Sequence, residues 1–222
     1  MSVSLKEQEV AEAVEKAIKI APKRNFKESV DLTVVFRGLD FKRNPSQRLS
    51  DVVYLPHPRI GKEPKICVIG RGDFLTRFKN AGADAVISTD DILALQGNKK
   101  ELRKLVKSYD FFIAQADQMA HIARIIGPIF APRGKMPTPI PFTEKNPSEV
   151  IKRFKSAVLL KMKTQPVLHV AVGTVDMPTS QIVENINFVI NYLNRKYGGL
   201  RKYLRKLLVK TTMGPPVEIP YK

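Results

Sequence analysis

The period of the apolar positions changes repeatedly along this chain, and each change marks an element. Val10, Val14, Ala17 and Ala21 recur at helical intervals, with Glu12 and Lys16, then Glu15 and Lys19, at i,i+4 on the opposite side. That spacing predicts an amphipathic helix. Ser4 with Glu7 fits a capping box at its start, and Pro22 ends it. The period then falls to two in SVDLTVVFRGL, where Val30, Leu32, Val34 and Phe36 alternate with Asp31, Thr33 and Arg37. This is the signature of a half-buried strand. DVVYLP predicts a second short strand, ahead of a stiff stretch from Pro56 to Pro64.

The middle of the chain has a different character. KICVIG is a short, nearly continuous apolar run, followed by a helical DFLTRFKNAG, then ADAVIS, then one long helix ending near Ser108, then DFFIAQ and another helix. Strands and helices alternating at these lengths imply a small parallel sheet with helices on its faces. Residues 128–147 hold six of the 16 prolines, which excludes a helix and reads as loop and linker. Asn146-Pro147-Ser148-Glu149 opens a new helix, with Asn as N-cap and Pro in the first turn. VLHVAVGTV then predicts a strand, residues 179–197 a helix with Ile182, Ile186, Val189, Leu193 and Tyr197 on one face, and LLVKTT and PVEI closing strands.

Neither end has enough strands to cover its own helix. The simplest packing is an α/β protein in which residues 1–62 and 156–222 form one discontinuous α+β domain. Residues 63–155 form an inserted Rossmann-like three-layer α/β domain, joined by two hinge strands.

Charge changes the picture more than composition does. Thirty-eight Lys and Arg against 21 Asp and Glu leave +17 over 222 residues, a balance suited to a polyanionic partner. The excess is largest in residues 155–222, where 11 basic residues meet only three acidic ones. By charge alone this third is the most RNA-like. The single Cys67 excludes an internal disulfide and a multi-cysteine metal site. No apolar run is long enough to span a membrane, and the acidic N-terminal segment is unlike a signal peptide. These features imply a soluble protein of a reducing compartment with no membrane partner.

Four constellations could carry chemistry. Ile69-Gly70-Arg71-Gly72-Asp73 stands where a dinucleotide fingerprint would begin, but Leu75 occupies the place of the third glycine. The alternatives are a nucleotide-dependent enzyme built on the middle unit and a plain strand-to-helix turn. His57, His121 and His169 fall on different elements without metal-ligand spacing, and the loop GPIFAPRGKMPTPIP is either a phosphate contact through Arg133 and Lys135 or an ordered connector. In Lys210-Thr211-Thr212-Met213-Gly214-Pro215-Pro216, hydroxyls suited to phosphate or 2′-OH stand beside a thioether suited to lie on a base or ribose. A tight turn packed on the core is the competing reading of that segment.

Taken together, RNFKESVDL, LDFKRNPSQRLSDVVYLPHP, Ala81-Gly82-Ala83-Asp84, PRGKMPTP, PVLHVAVGT and TTMGPP resemble the family of large-subunit ribosomal protein one, the side-stalk protein, along nearly the whole chain. The YLPHP and PRGKMPTP segments resemble its archaeal branch. The resemblance implies a two-domain, non-enzymatic protein whose inserted Rossmann-like domain binds no nucleotide and which needs no cofactor or metal. It further implies binding of a large-subunit rRNA stalk helix, a part in release of exit-site tRNA, repression of its own messenger RNA through an rRNA-like site, a place on the cytoplasmic ribosome and a monomeric state off it. The implied RNA surface comprises Phe26, Lys27, Glu28 and Ser29; Lys161, His169 and Gly173 of a central hairpin; and Thr211, Thr212, Met213 and Gly214. Phe26 would pack on ribose or base, Lys27 and Lys161 would face phosphates, and Glu28 would accept from a 2′-OH or an exocyclic amine. Thr174 stands where the family often has a lysine.

Overall fold

The computed structural model describes residues 6–22 and 24–221. The first helix, α1, spans Glu7–Ile20 and buries Val10, Ala13, Val14 and Ala17, with Glu7 and Glu9 in the first turn and Lys19 in the last. That charge order complements the helix dipole. Ser4 of the expected capping box lies outside the described residues. Strand β1 (Ser29–Phe36) turns Val30, Leu32, Val34 and Phe36 inward. Strand β2 runs Leu49–Tyr54, and β3 (Ile66–Gly70) is buried throughout, as a central parallel strand covered on both faces should be. Helix α2 (Asp73–Asn80) and β4 (Ala85–Ser88) follow.

The single long helix expected before Ser108 is two, α3 (Thr89–Ala94) and α4 (Lys99–Ser108). The break has a local cause. Gly97 adopts a left-handed φ of +87°, and Asn98 Oδ1 accepts from Glu101 N at 3.2 Å, capping the second helix. After β5 (Phe111–Gln115), α5 spans Met119–Phe130 and carries Pro128 in its closing turn. Residues 128–147 are therefore not loop throughout: the helix reaches Phe130, and β6 forms over Thr138–Ile140. Strand β6 lies at a sheet edge, where one side of the backbone needs no donor, so Pro139 is tolerated.

Helix α6 (Pro147–Lys155) leads after one residue into β7 (Ala157–Met162). The remaining elements are β8 (Val167–Thr174), α7 (Thr179–Lys196), β9 (Leu204–Thr211) and β10 (Val217–Glu218). Strand β7 pairs with β2, not with β8. Lys161 thus sits in a separate two-stranded ladder opposite Ser50, rather than in a hairpin with His169.

The chain forms two compact units, Met1–Glu63 with Ser156–Lys222, and Pro64–Lys155. In the first, an antiparallel sheet of order β10-β9-β1-β8 packs one face against α1 and α7 around Leu32, Val34, Leu168, Ile186, Val189 and Val209. The second is a parallel sheet of order β4-β3-β5-β6. Cys67, Ile69 and Phe112 face Ile92, Leu102 and Ile122 of the helices on one side, and α2 and α6 pack on β3. The fold class is α/β, as the changes of period imply.

Candidate nucleic-acid interface

The edge of the first unit gathers segments that lie far apart in sequence. Because β1 pairs with β9, Ser29 comes to rest beside Thr212, 183 residues away: Ser29 N donates to Thr212 Oγ1 at 3.0 Å, and Thr212 N donates to Ser29 O at 3.0 Å. Met213 N donates to Glu28 Oε2 at 3.4 Å, and Val175 N donates to Glu28 O at 3.1 Å. The stretch between Pro56 and Pro64 supplies Lys62, whose Nζ donates to Ser29 Oγ at 3.1 Å and stands 5.9 Å from the centre of the Phe26 ring. Lys27 pairs with Asp176 at 3.1 Å.

Exposure sorts these residues into those that can touch a partner and those that hold the surface. Phe26 is 50% and Met213 58% exposed, the two most exposed of the large apolar side chains among the described residues. Glu28, by contrast, is 6% exposed, and its Oε1 is buried without a hydrogen-bond partner. A buried acceptor left unpaired is costly, so an N–H or O–H donor brought by a ligand would relieve it. A cavity of about 640 Å³ opens here, lined by Ile18, Ala21, Pro22, Arg24, Phe26 and Glu28 among others.

Thr211 is fully buried, and its Oγ1 accepts from Gly214 N at 3.0 Å. A Cβ on Gly214 would lie 2.4 Å from that same oxygen, and one on Gly173 would lie 2.9 Å from Ile182 Cγ1. Both glycines make room for the protein's own packing. Thr174, in place of the family's lysine, is also buried and donates from Oγ1 to Ile60 O at 3.0 Å, fastening the stretch that carries Lys62.

His169 is exposed on the outer face of β8, its Nδ1 3.0 Å from Thr33 Oγ1. Lys161 stands in the other ladder, its ammonium pushed below the ordinary lysine value by burial and by the neighbouring Lys163. Three groups with evident structural roles here were missed from the sequence: Lys62, Thr174 and Asp31. Burial raises the Asp31 carboxyl above its ordinary value although Lys210, Lys62, Arg59 and His169 oppose the shift. No linear motif marks them; strand register brings them together.

The other candidates close. Gly70 in the Gly-x-Gly segment makes room for Phe74, since a Cβ there would lie 2.6 Å from the ring, and Arg71 N donates to Gln115 Oε1 at 3.2 Å. Gly70 thus serves the unit's own packing, while Gly72 turns at a φ of +51° with no atom near its Cβ position, as a strand-to-helix turn allows. In the proline-rich loop, Lys135 Nζ donates to Val106 O at 3.1 Å and Tyr109 O at 2.6 Å, which makes the loop a connector capping α4. Among the described residues no group of three His, Cys, Asp or Glu side chains could hold a metal, and no helix is long and apolar enough to cross a membrane.

Comparison with known proteins places residues 10–215 in a match to the family described as ribosomal protein L1p/L10e. The large ribosomal subunit protein uL1 of Korarchaeum cryptofilum is 42% identical over 221 residues, 99% of this chain and 97% of that protein. The uL1 of Methanothermobacter thermautotrophicus is 42% identical over 213 residues, 96% and 99% of the two chains. That of Hyperthermus butylicus is 43% identical over 210 residues, 95% of each.

Proposed function

The chain belongs to the ribosomal protein L1p/L10e family, a family of ribosomal proteins and not of enzymes, and we propose that its discontinuous unit binds large-subunit rRNA at the side stalk. On this reading the protein helps release exit-site tRNA and represses its own messenger RNA by binding an rRNA-like site. It acts as a monomer when off the ribosome, with the two chain crossings between its units serving as hinges. The observation that supports the reading best is the exposure of both Phe26 and Met213 on segments tied together through Glu28, Ser29 and Thr212. A ring and a thioether can cover a ribose or an unstacked base without polar partners of their own. An RNA that displaces the cover over Glu28 Oε1 would supply the missing donor from a 2′-OH or an exocyclic amine. Lys27, paired with Asp176, and Lys62, bound to Ser29 Oγ, would exchange those partners for phosphate.

The experiment is ultraviolet crosslinking in extract of the source cells followed by sequencing of the attached RNA. Reads should concentrate on one segment of large-subunit rRNA and on the protein's own messenger, with crosslinked peptides containing Phe26 or Met213. Reads spread evenly over unrelated transcripts would refute the proposal.

A further inference from the structure

The basic run Arg201, Lys202, Arg205 and Lys206 precedes the Thr211–Gly214 turn in sequence, yet β9 carries the two to opposite ends of the sheet. Leu204 lies beside Phe36, and Thr211 beside Val30. Seven strand steps separate them, about 23 Å at roughly 3.3 Å per residue. At the far end the chain makes a tight corner. Arg37 N donates to Tyr203 O at 2.6 Å, Arg201 and Lys202 lie in the 3-10 turn Leu200–Lys202, and Leu200 N donates to Asn194 Oδ1 at 2.9 Å. That last bond draws in Arg195, in the final turn of α7.

Arg37, Arg195, Arg201, Lys202 and Arg205 are all exposed. Among the described residues none of their side chains makes an ion pair or a hydrogen bond. Their basic neighbours differ: Lys206 pairs with Glu218 at 3.5 Å, Lys196 with Asp51 at 2.9 Å and Arg43 with Asp40 at 3.6 Å. Five like charges gathered on one corner repel one another through screened solvent, and a polyanion that replaces their counterions would bind there favourably.

We infer that this corner is a second RNA contact, holding the backbone phosphates of a duplex arm of the RNA bound at the Phe26–Met213 surface. The inference rests on the RNA-binding reading above and extends it. Four of the five cations are arginines, whose planar guanidinium suits phosphate. A protein partner fits less well, because interfaces between proteins are anchored by buried aromatic or aliphatic side chains. Of the large apolar side chains at the surface, the nearest along the chain is Phe188, about 10 Å or two helical turns before Arg195. The span of about 23 Å is less than one turn of a nucleic-acid duplex, about 34 Å. One RNA of modest size can therefore reach both ends of the sheet.

The test uses the full chain and two transcripts of the stalk region of large-subunit rRNA: a short one limited to a single hairpin, and a long one retaining the adjoining helical arm. The triple variant Arg201→Gln, Lys202→Gln, Arg205→Gln should bind the long transcript about tenfold or more weakly. The slope of log affinity against log salt should fall by about two to three, close to one unit per lost phosphate contact. Affinity for the short transcript should change by less than about threefold. The charge-conserving variant Arg201→Lys, Lys202→Arg, Arg205→Lys should restore most of the loss, and melting should be unchanged throughout.

Unchanged affinity and slope on the long transcript would overturn the inference. So would an equal loss on both transcripts, which would make these cations a distant field and not a contact. Normal transcript binding with loss from assembled ribosomes would give the corner to a protein neighbour and overturn it too. If the wild-type protein prefers neither transcript over an unrelated duplex of equal length, the RNA-binding proposal itself fails first.

Discussion

Gly214→Ala should unfold the outer unit more readily, and the reason lies inside the protein. The added Cβ would sit 2.4 Å from Thr211 Oγ1 and 3.2 Å from the Cβ of Ala21. Rotating Thr211 is a poor escape: one alternative rotamer puts its methyl where the hydroxyl was, and the other, which puts a hydrogen there, still carries the hydroxyl away from Gly214 N. Thr211 is fully buried, so a hydroxyl displaced from Gly214 N loses its 3.0 Å bond with no water to replace it. An unpaired buried polar group costs about 1–3 kcal/mol, and overpacking of a core a further 1–3 kcal/mol or so. Allowing for partial relaxation, about 2–4 kcal/mol should be lost, a fall in melting temperature of roughly 10 °C for a unit of this size. The check is a double-mutant cycle with Thr211→Ala, read by calorimetry or circular dichroism. Removing Oγ1 makes room for the new methyl, so the pair should be better than additive by about 1–2 kcal/mol. An additive cycle, or a Gly214→Ala protein within about 0.5 kcal/mol of wild type, would refute the packing account. The glycine would then be kept for close approach of RNA.

Four further outcomes can be measured on the same protein. Met213→Ala should leave melting unchanged, because the side chain is 58% exposed, and should weaken stalk-RNA binding by about 1–3 kcal/mol. Thr212→Ala should lower both affinity and stability, the latter by about 1 kcal/mol, since its hydroxyl accepts from Ser29 N; a large melting shift with unchanged RNA affinity for Met213→Ala would show that its side chain is structural. Asp31 has a carboxyl raised by burial above its ordinary 3.8, so ionising it opposes folding. Its penalty is full above the raised value and fades as pH falls toward 3.8. Asp31→Asn should therefore be more stable than wild type at pH 7 in chemical unfolding, with the gain vanishing in acid; a less stable variant at pH 7 would contradict this. Burial pushes the Cys67 thiol up to about 12, so a thiol reagent at pH 8 should label it only after denaturation, and rapid labelling of the native protein would show that the middle unit opens.

Elements with one face in water were legible in the sequence. In α1, β1 and α7 the solvated side writes its period directly into the chain, and the buried residues found there match that pattern. Legibility failed where the local signal was weak or had two readings. Strand β7 follows α6 after a single residue, with no glycine or proline to mark the change. The gap between α3 and α4 was carried by Gly97 and Asn98, residues that an uninterrupted apolar pattern on either side concealed. Prolines at 128 and 139 signal a break by local rules, yet the closing turn of a helix and an edge strand each tolerate one.

The candidate site divides along a similar line. Phe26 and Met213 are named by resemblance and stand exposed as an RNA contact requires. Lys62, Thr174 and Asp31 reach the same edge only through strand register and through the stretch from Pro56 to Pro64. Register depends on pairings across more than a hundred residues, which no window of sequence contains. Charge misleads in a related way. The C-terminal third is the most basic part of the chain, yet its run of unpaired cations lies at the opposite end of β9 from the Thr211–Gly214 turn. Close to that turn stand a ring, a thioether and a buried carboxylate, with cations of which Lys27 is already paired to Asp176. Contacts of the first kind can tell one RNA from another, while cations on a phosphate backbone set position and affinity without reading sequence. On the proposed reading, separating them by the length of a strand would let salt act on affinity while shape and base contacts decide which RNA is held. The wild-type preference for the long stalk transcript over an unrelated duplex should therefore survive in the triple corner variant and be lost in Met213→Ala.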